Sequence, residues 1–173
     1  VGAERAADLV QKMQIFSRGP RIGEQDAALS TRVVIEDIVK LLRAALPATL
    51  AIDETLEDIP ELPIAPADTH QLLFNLAINA RDAIREVRDV GRMTVVLRAP
   101  RALDTTCSDC RAHFSGRYVE LSVRDDGCGI AAECVPQIFE PFYTTKEVGK
   151  GTGLGMSVVH GIMHGLGGHI IVE

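Results

Sequence analysis

Three short runs of this chain combine residue types and spacings that could bind and transfer a phosphate ester. The first is Asp125-Asp126-Gly127-Cys128-Gly129-Ile130, an acid followed by glycines at alternate positions, directly after the strand-like run from Tyr118 to Val123. A carboxylate at a strand end can accept a hydrogen bond from an exocyclic amine, and glycines let backbone approach a flat ring without a Cβ in the way. Its alternative is a plain turn, since Asp-Gly is a common turn pair. The second run is Gly149-Lys150-Gly151-Thr152-Gly153-Leu154-Gly155. Repeated glycines expose backbone N–H groups, and a helix that opens behind them seats a phosphate at its positive end. Lys146 and Lys150 add charge. A lid or linker without ligand is the alternative. It is not a Walker A loop, because Gly149-Lys150 is followed by Gly151 rather than Ser or Thr. The third is a stripe: Gln71, Asn75, Asn79 and Asp82 stand at i, i+4, i+8 and i+11, one face of a helix. Amide and carboxylate oxygens facing a cleft suit Mg²⁺ and phosphate oxygens, whereas facing water they would be a solvated polar face. In chain order the stripe precedes both glycine runs, and the three together read as one nucleotide site.

The elements that must position them follow from periodicity. Residues 4–17 read as an amphipathic helix through Leu9, Met13 and Phe16, ended by Gly19-Pro20. Val33 to Leu46 reads as a second helix, with Ser30 or Thr31 as cap and Pro47 as stop. Ala48 to Ile52 reads as a strand and Leu62-Pro63-Ile64 as a shorter one. Asp68 to Val87 is the clearest helix, with Leu72, Leu73, Leu76, Ile78, Ala80, Ala83 and Ile84 as its apolar surface. Gly91 marks a turn, Met93 to Leu97 a strand, Arg98 to Gly116 an irregular polar loop, and Tyr118 to Arg124 a half-buried strand. Ala131 to Gly155 is broken by Pro136, Pro141 and glycines, so it reads as a loop with a short helix. Gly155 to Gly165 reads as a helix, and His169 to Val172 starts another strand.

The 173 residues suffice for one α/β domain plus a short extra element. Tryptophan is absent and aromatics are 4%, so the core must be mostly aliphatic. A net charge of −6 argues against a general nucleic-acid surface. No apolar run reaches membrane-spanning length. Four cysteines without a regular framework point to a reducing, cytoplasmic setting. The first residue is not Met, so the sequence reads as a piece of a larger protein.

Taken together, the runs resemble the ATP-binding catalytic domain of bacterial sensor histidine kinases, in the wider group that includes gyrase B, Hsp90 and MutL. Asn75 to Ala83 resembles that family's N box, and Asp125 to Gly129 its first glycine box. Ile138-Phe139-Glu140-Pro141-Phe142-Tyr143-Thr144-Thr145-Lys146 resembles its F box, and Gly151 to Gly155 its second glycine box. The resemblance implies a two-layer sandwich of helices on a mixed β-sheet over residues 29–173. It also implies that residues 1–20 are the end of a dimerisation hairpin's second helix and 21–28 a linker. It assigns ATP and Mg²⁺ as ligands. Asn79 would ligate Mg²⁺, with Asn75 and Asp82 near the phosphates. Asp125 would bind the adenine amino group in a pocket shaped by Gly127, Gly129 and Ile130. Phe142, Thr145, Lys146, Gly151, Thr152, Gly153, Leu154 and Gly155 would form the lid and phosphate contacts. Asn79 and Lys146 would serve catalysis.

The implied partners are a phosphoacceptor histidine on the parent's helical hairpin, a response-regulator receiver domain, and a second copy in the full-length dimer. None of the five histidines has the acceptor's context. The family also normally continues past Glu173 into a final strand. Two other readings stay open: a clamp-type ATPase of the same fold, and a non-catalytic nucleotide-binding module. Outside these motifs, Cys107-Ser108-Asp109-Cys110 with His113 gives a Cys-x-x-Cys-x-x-His array with three ligands where zinc takes four. It reads as a solvent loop with incidental thiols. His160 and His164, one helical turn apart, read as packing or surface residues.

Overall fold

The structure, a computed structural model, describes residues 30–146 and 151–173. The helix expected over residues 4–17, the linker over 21–28, and Gly149 and Lys150 lie outside the described residues. The elements run α1 (Thr31–Ala45), β1 (Leu50–Leu56), α2 (Pro66–Val87), β2 (Gly91–Thr106), β3 (His113–Asp125) and α3 (Gly155–Gly165).

Each helix forms where the pattern asks for it. Ser30 is the cap of α1, its hydroxyl accepting from the Val33 N–H at 3.4 Å. The apolar stripe Ile35, Ile38, Val39 and Leu42 is then wholly buried, each such side chain contributing about 1.5–3 kcal/mol. Pro66 opens α2, where its missing N–H would have gone unpaired anyway. The Thr69 hydroxyl, buried, donates to the Ala65 carbonyl. The buried face of α2 is Leu72, Leu73, Ala77, Ala80 and Ile84. Leu76, Ile78 and Ala83 are only partly covered, and Ala77, outside the expected apolar set, is buried.

The sheet is mixed, in the order β1-β2-β3. β1 pairs parallel with β2, Ile52 opposite Met93, and β2 pairs antiparallel with β3, Val95 opposite Val123. Alternate residues Met93, Val95 and Leu97 are buried against Ile38, Leu73 and Ile84 of the helices, with Val119, Leu121 and Val123 of β3 packed alongside. This is the two-layer α/β arrangement expected.

Four expectations are corrected. Residues 98–116 are not a loop: β2 and β3 continue as a long hairpin, Arg101 opposite Tyr118 and Thr106 opposite His113. Ladder hydrogen bonds, not apolar alternation, hold it. The break in polarity at Ala99-Pro100 is a bulge between Arg98 and Arg101 that accommodates a residue with no N–H. Leu62-Pro63-Ile64 forms no strand. Residues 131–140 form successive turns rather than a helix, with Phe139 as their buried anchor. His169 to Val172 is not a strand either. It docks on the hairpin tip through Ser108 N–H to Ile170 O at 2.8 Å and Val172 N–H to Ser108 Oγ at 2.9 Å. No helix among the described residues is long and apolar enough to cross a membrane.

Candidate nucleotide site

The stripe on α2 is the spine of the site. Gln71, Asn75, Asn79 and Asp82 are all partly buried, so other chain segments lie over them. From Asn75 to Ala83 the helix rises about 12 Å, and three separate segments meet it along that length.

The first is the start of α3. A Cβ built on Gly155 would lie 3.4 Å from Asn75 Oδ1 and 3.7 Å from Asn79 Nδ2. The N-terminal turn of α3 therefore stands directly against both amides. Its N-cap, Leu154, makes no side-chain cap bond, which leaves the positive end of the helix without a side-chain acceptor. Asn75 Nδ2 is buried and finds no hydrogen-bond partner among the described residues. A buried amide N–H₂ left this way costs about 1–3 kcal/mol, so the position fits an acceptor supplied from outside.

The second is the segment leading to Lys146. Lys146 Nζ bonds Asp82 Oδ2 at 2.6 Å, and Arg81 bonds Asp82 Oδ1 at 2.6 Å. Burial alone would raise the Asp82 carboxyl, but the hydrogen bonds and charges of Lys146 and Arg81 outweigh it and hold it below the usual range. Asp82 is thus ionised and fully engaged with cations. Lys146 would have to leave this pair to reach a phosphate.

The third is the loop after β3. Asp125 is exposed, and its Oδ1 accepts the Gly127 N–H at 2.9 Å, which leaves the second oxygen for a ligand. Cys128 N–H reaches the Ala83 carbonyl at 3.2 Å. Gly127 is glycine for a reason not anticipated: a Cβ there would stand 2.5 Å from Ala83 C and 2.7 Å from Ile84 N. The missing side chain admits the backbone of α2 rather than a ring. Gly129, at φ +73°, opens to free space. Asp126 clamps the loop's base, accepting from Arg92 N–H at 2.9 Å and pairing with Arg88 at 3.2 Å.

The glycine-rich run and the Phe142 segment are joined. Phe142 N–H donates to Gly153 O at 2.9 Å, and a Cβ on Gly153 would sit 2.4 Å from Phe142 C. Both residues adopt left-handed backbone, φ +65° at Gly153 and +69° at Phe142. Phe142 is held there although it is not glycine, and the residue is 74% exposed. Such strain gathers at ligand-binding segments. Gly151 stands beside Thr144 and Lys146, Thr152 Oγ1 accepts from Leu154 N–H at 3.4 Å, and Thr145, Ile130 and Leu154 are exposed. Residues not anticipated are Arg81, Ala83, Asp126 and Glu86. The Cys128 thiol donates to Glu86 Oε2 at 3.1 Å, and this bond pushes the thiol up, away from thiolate. Cys128 is correspondingly a poor target for thiol reagents at neutral pH.

The contact at Gly127 yields a stability prediction. Gly127→Ala must lift the loop off α2 and break the Cys128–Ala83 bond, costing about 1–3 kcal/mol. A thermal melt should show Tm lower by several degrees. An unchanged Tm would mean that this loop does not rest on α2.

Residues 65–173 match the family described as Histidine kinase-, DNA gyrase B-, and HSP90-like ATPase. Sensor kinase CckA of Brucella abortus (strain 2308) is 38% identical over 99% of this chain and 18% of its own length. Sensory histidine kinase/phosphatase NtrB of Rhizobium meliloti (strain 1021) is 30% identical over 98% of this chain and 43% of its own length. The chain thus spans less than half of either relative. Among solved structures, Mycobacterial sensor histidine kinase MprB superposes with TM-score 0.59 at 20% identity, over 80% of this chain and 78% of that one. The catalytic domain of histidine kinase ThkA gives 0.58 at 22% identity, over 80% and 79%. At these identities the structural likeness establishes the fold alone.

Proposed function

The chain belongs to the histidine kinase-, DNA gyrase B- and HSP90-like ATPase family, and from that premise we propose that it is the ATP-binding kinase domain of a sensor histidine kinase. It would donate the γ-phosphoryl group of ATP to a histidine on the parent's helical hairpin, for relay to a response-regulator receiver domain. The observation that carries this reading is the seat of Gly155 on Asn75 and Asn79, which joins an uncapped helix N-terminus to a stripe of amides. In this reading Asp125 accepts the adenine amino group through its unused oxygen, beside Gly127, Gly129 and Ile130. The α3 N–H groups and Asn75 Nδ2 receive phosphate oxygens, and Gly151, Thr152, Gly153 and Leu154 close over them with Phe142 and Thr145.

The orphaned Asn75 amide and the hard amide oxygen of Asn79 suit a Mg²⁺-nucleotide, with Asn79 as the protein's metal ligand. The ion supplies charge neutralisation on the phosphates when bound. Asp82 stores Lys146 near the phosphates through an ion pair, ready to exchange one anion for another. The transfer itself breaks the bond between the γ-phosphorus and its bridging oxygen and forms a P–N bond to imidazole, releasing ADP. The chain's part is alignment and exclusion of water. The four cysteines are all free, which suits a reducing cytoplasmic setting.

The test is to mix this chain with the histidine-bearing hairpin of its parent and ATP labelled in the γ-phosphate. Label on the hairpin, stable to alkali and labile to acid, is the expected outcome. Binding of ATP with no transfer under any mixing ratio would reduce the chain to a nucleotide-binding module.

A further inference from the structure

The hairpin tip and the residues after α3 bring together groups that the nucleotide chemistry does not use. One ring nitrogen of His169 and the sulfurs of Cys107 and Cys110 all lie within 4.8 Å of one another. This is not the array suggested by the spacing of the cysteines, because His113 turns away and pairs with Asp104 at 2.8 Å. His169, 56 residues further along than His113, takes its place. We propose that Cys107, Cys110 and His169 form a zinc site that ties the β2–β3 hairpin to the chain leaving α3.

Several independent features support a built site. Cys107 is wholly buried, and its sulfur accepts the Ile170 N–H at 3.4 Å. That bond helps to fix the sulfur's position at the hairpin tip. Backbone donors on the first sulfur of a Cys-x-x-Cys loop favour the thiolate that a metal needs. His169 is fixed in orientation, its ring flat on Phe114 at 4.1 Å between centroids and edge-on to Tyr118 at 6.0 Å. Its Nδ1 is buried and finds no hydrogen-bond partner among the described residues. A buried imidazole nitrogen without a partner is costly. A metal ligated through this nitrogen would offset that cost and fix the tautomer.

The loop itself is pinned from a second side. Asp109, between the two cysteines, accepts from His160 at 2.5 Å and His164 at 2.7 Å on successive turns of α3. These three groups also converge closely enough to hold an ion. They already satisfy one another by hydrogen bonding, so their role is to hold the cysteine loop against α3. Two soft thiolates and an imidazole select Zn²⁺ among the common divalent ions. Binding releases one proton from each thiol, and the two thiolates neutralise the ion. Cys110 is exposed, so a water can complete the tetrahedron. Because α3 begins at Gly155 on the nucleotide stripe, the metal would anchor the far end of the helix whose start receives phosphate.

The test is metal titration of the whole reduced chain, first with Co²⁺ as a spectroscopic probe and then with Zn²⁺ to displace it. The expected result is a thiolate-to-cobalt charge-transfer band and strong tetrahedral d–d absorption at one ion per chain. Zn²⁺ at 100 times its Kd should raise Tm by about 5 °C or more, and a chelator should reverse this. Cys110→Ser, at an exposed position that need not disturb folding, should weaken binding at least about tenfold and reduce the charge-transfer band. Cys134→Ser should keep the band. The proposal is overturned if the reduced wild-type chain takes up neither ion, or if the band survives Cys110→Ser but is lost in Cys134→Ser. Spontaneous closure of Cys107 and Cys110 to a disulfide that excludes metal under reducing conditions would overturn it equally.

Discussion

Asp125→Asn should lower ATP affinity about 10- to 100-fold, the loss of one hydrogen bond to a charged acceptor plus the clash left behind. The reason lies in how the loop uses this residue. One carboxylate oxygen is committed to the Gly127 N–H at 2.9 Å, and only the other is available to a base. An asparagine keeps its carbonyl on Gly127, because that N–H needs an acceptor, and so turns its NH₂ toward the ligand. A donor then faces the adenine amine, itself a donor. The fold should not suffer, since the turn bond survives, and Tm should stay that of the wild type. Guanine presents a carbonyl at the same ring position, so GTP should lose far less and the preference for ATP should shrink or invert. Titrating both nucleotides into both proteins reads this directly. An unchanged preference for ATP would remove Asp125 from base recognition.

Asn79→Ala should act at the other end of the site. The Asn79 amide lies on the stripe under the first turn of α3, and alanine is the better helix former, so α2 should keep its shape. What disappears is the hard oxygen assigned to the metal-phosphate complex. Phosphoryl transfer to the parent's hairpin should fall about 100-fold or more, as when a preorganised electrostatic partner is removed. Binding of ATP should lose the part that depends on Mg²⁺, and binding of adenosine should be unaffected. Equal losses for ATP and adenosine would mean that Asn79 serves only the packing of α3 on α2.

Much of this site was legible in the chain because its parts are local. The stripe Gln71, Asn75, Asn79 and Asp82 is a consequence of 3.6-residue periodicity, and α2 bears it where expected. The cap at Ser30 and the strand before Asp125 are likewise local signals. The illegible parts depend on contacts between distant segments. The ion pair of Lys146 with Asp82 spans 64 residues. Gly127 looked like a glycine for a ligand, and only the fold shows the α2 backbone in the space of its missing side chain. The hairpin over residues 98–116 was hidden because its strands alternate little in polarity and are broken by the bulge at Pro100. His169 to Val172 misled in the other direction: an apolar run that suits a strand instead docks on a hairpin tip. The array of Cys107, Cys110 and His113 read as incidental thiols, because only tertiary structure brings His169 to the two cysteines.

The most direct test of the central claim is calorimetric titration of the wild-type chain with a non-hydrolysable ATP analogue, with and without Mg²⁺. One saturable site per chain, tightened by Mg²⁺ and selective for adenine over guanine, is the result the geometry of Asn75, Asn79 and Asp125 predicts. No binding by a cooperatively folded chain, or binding indifferent to both base and metal, would contradict it.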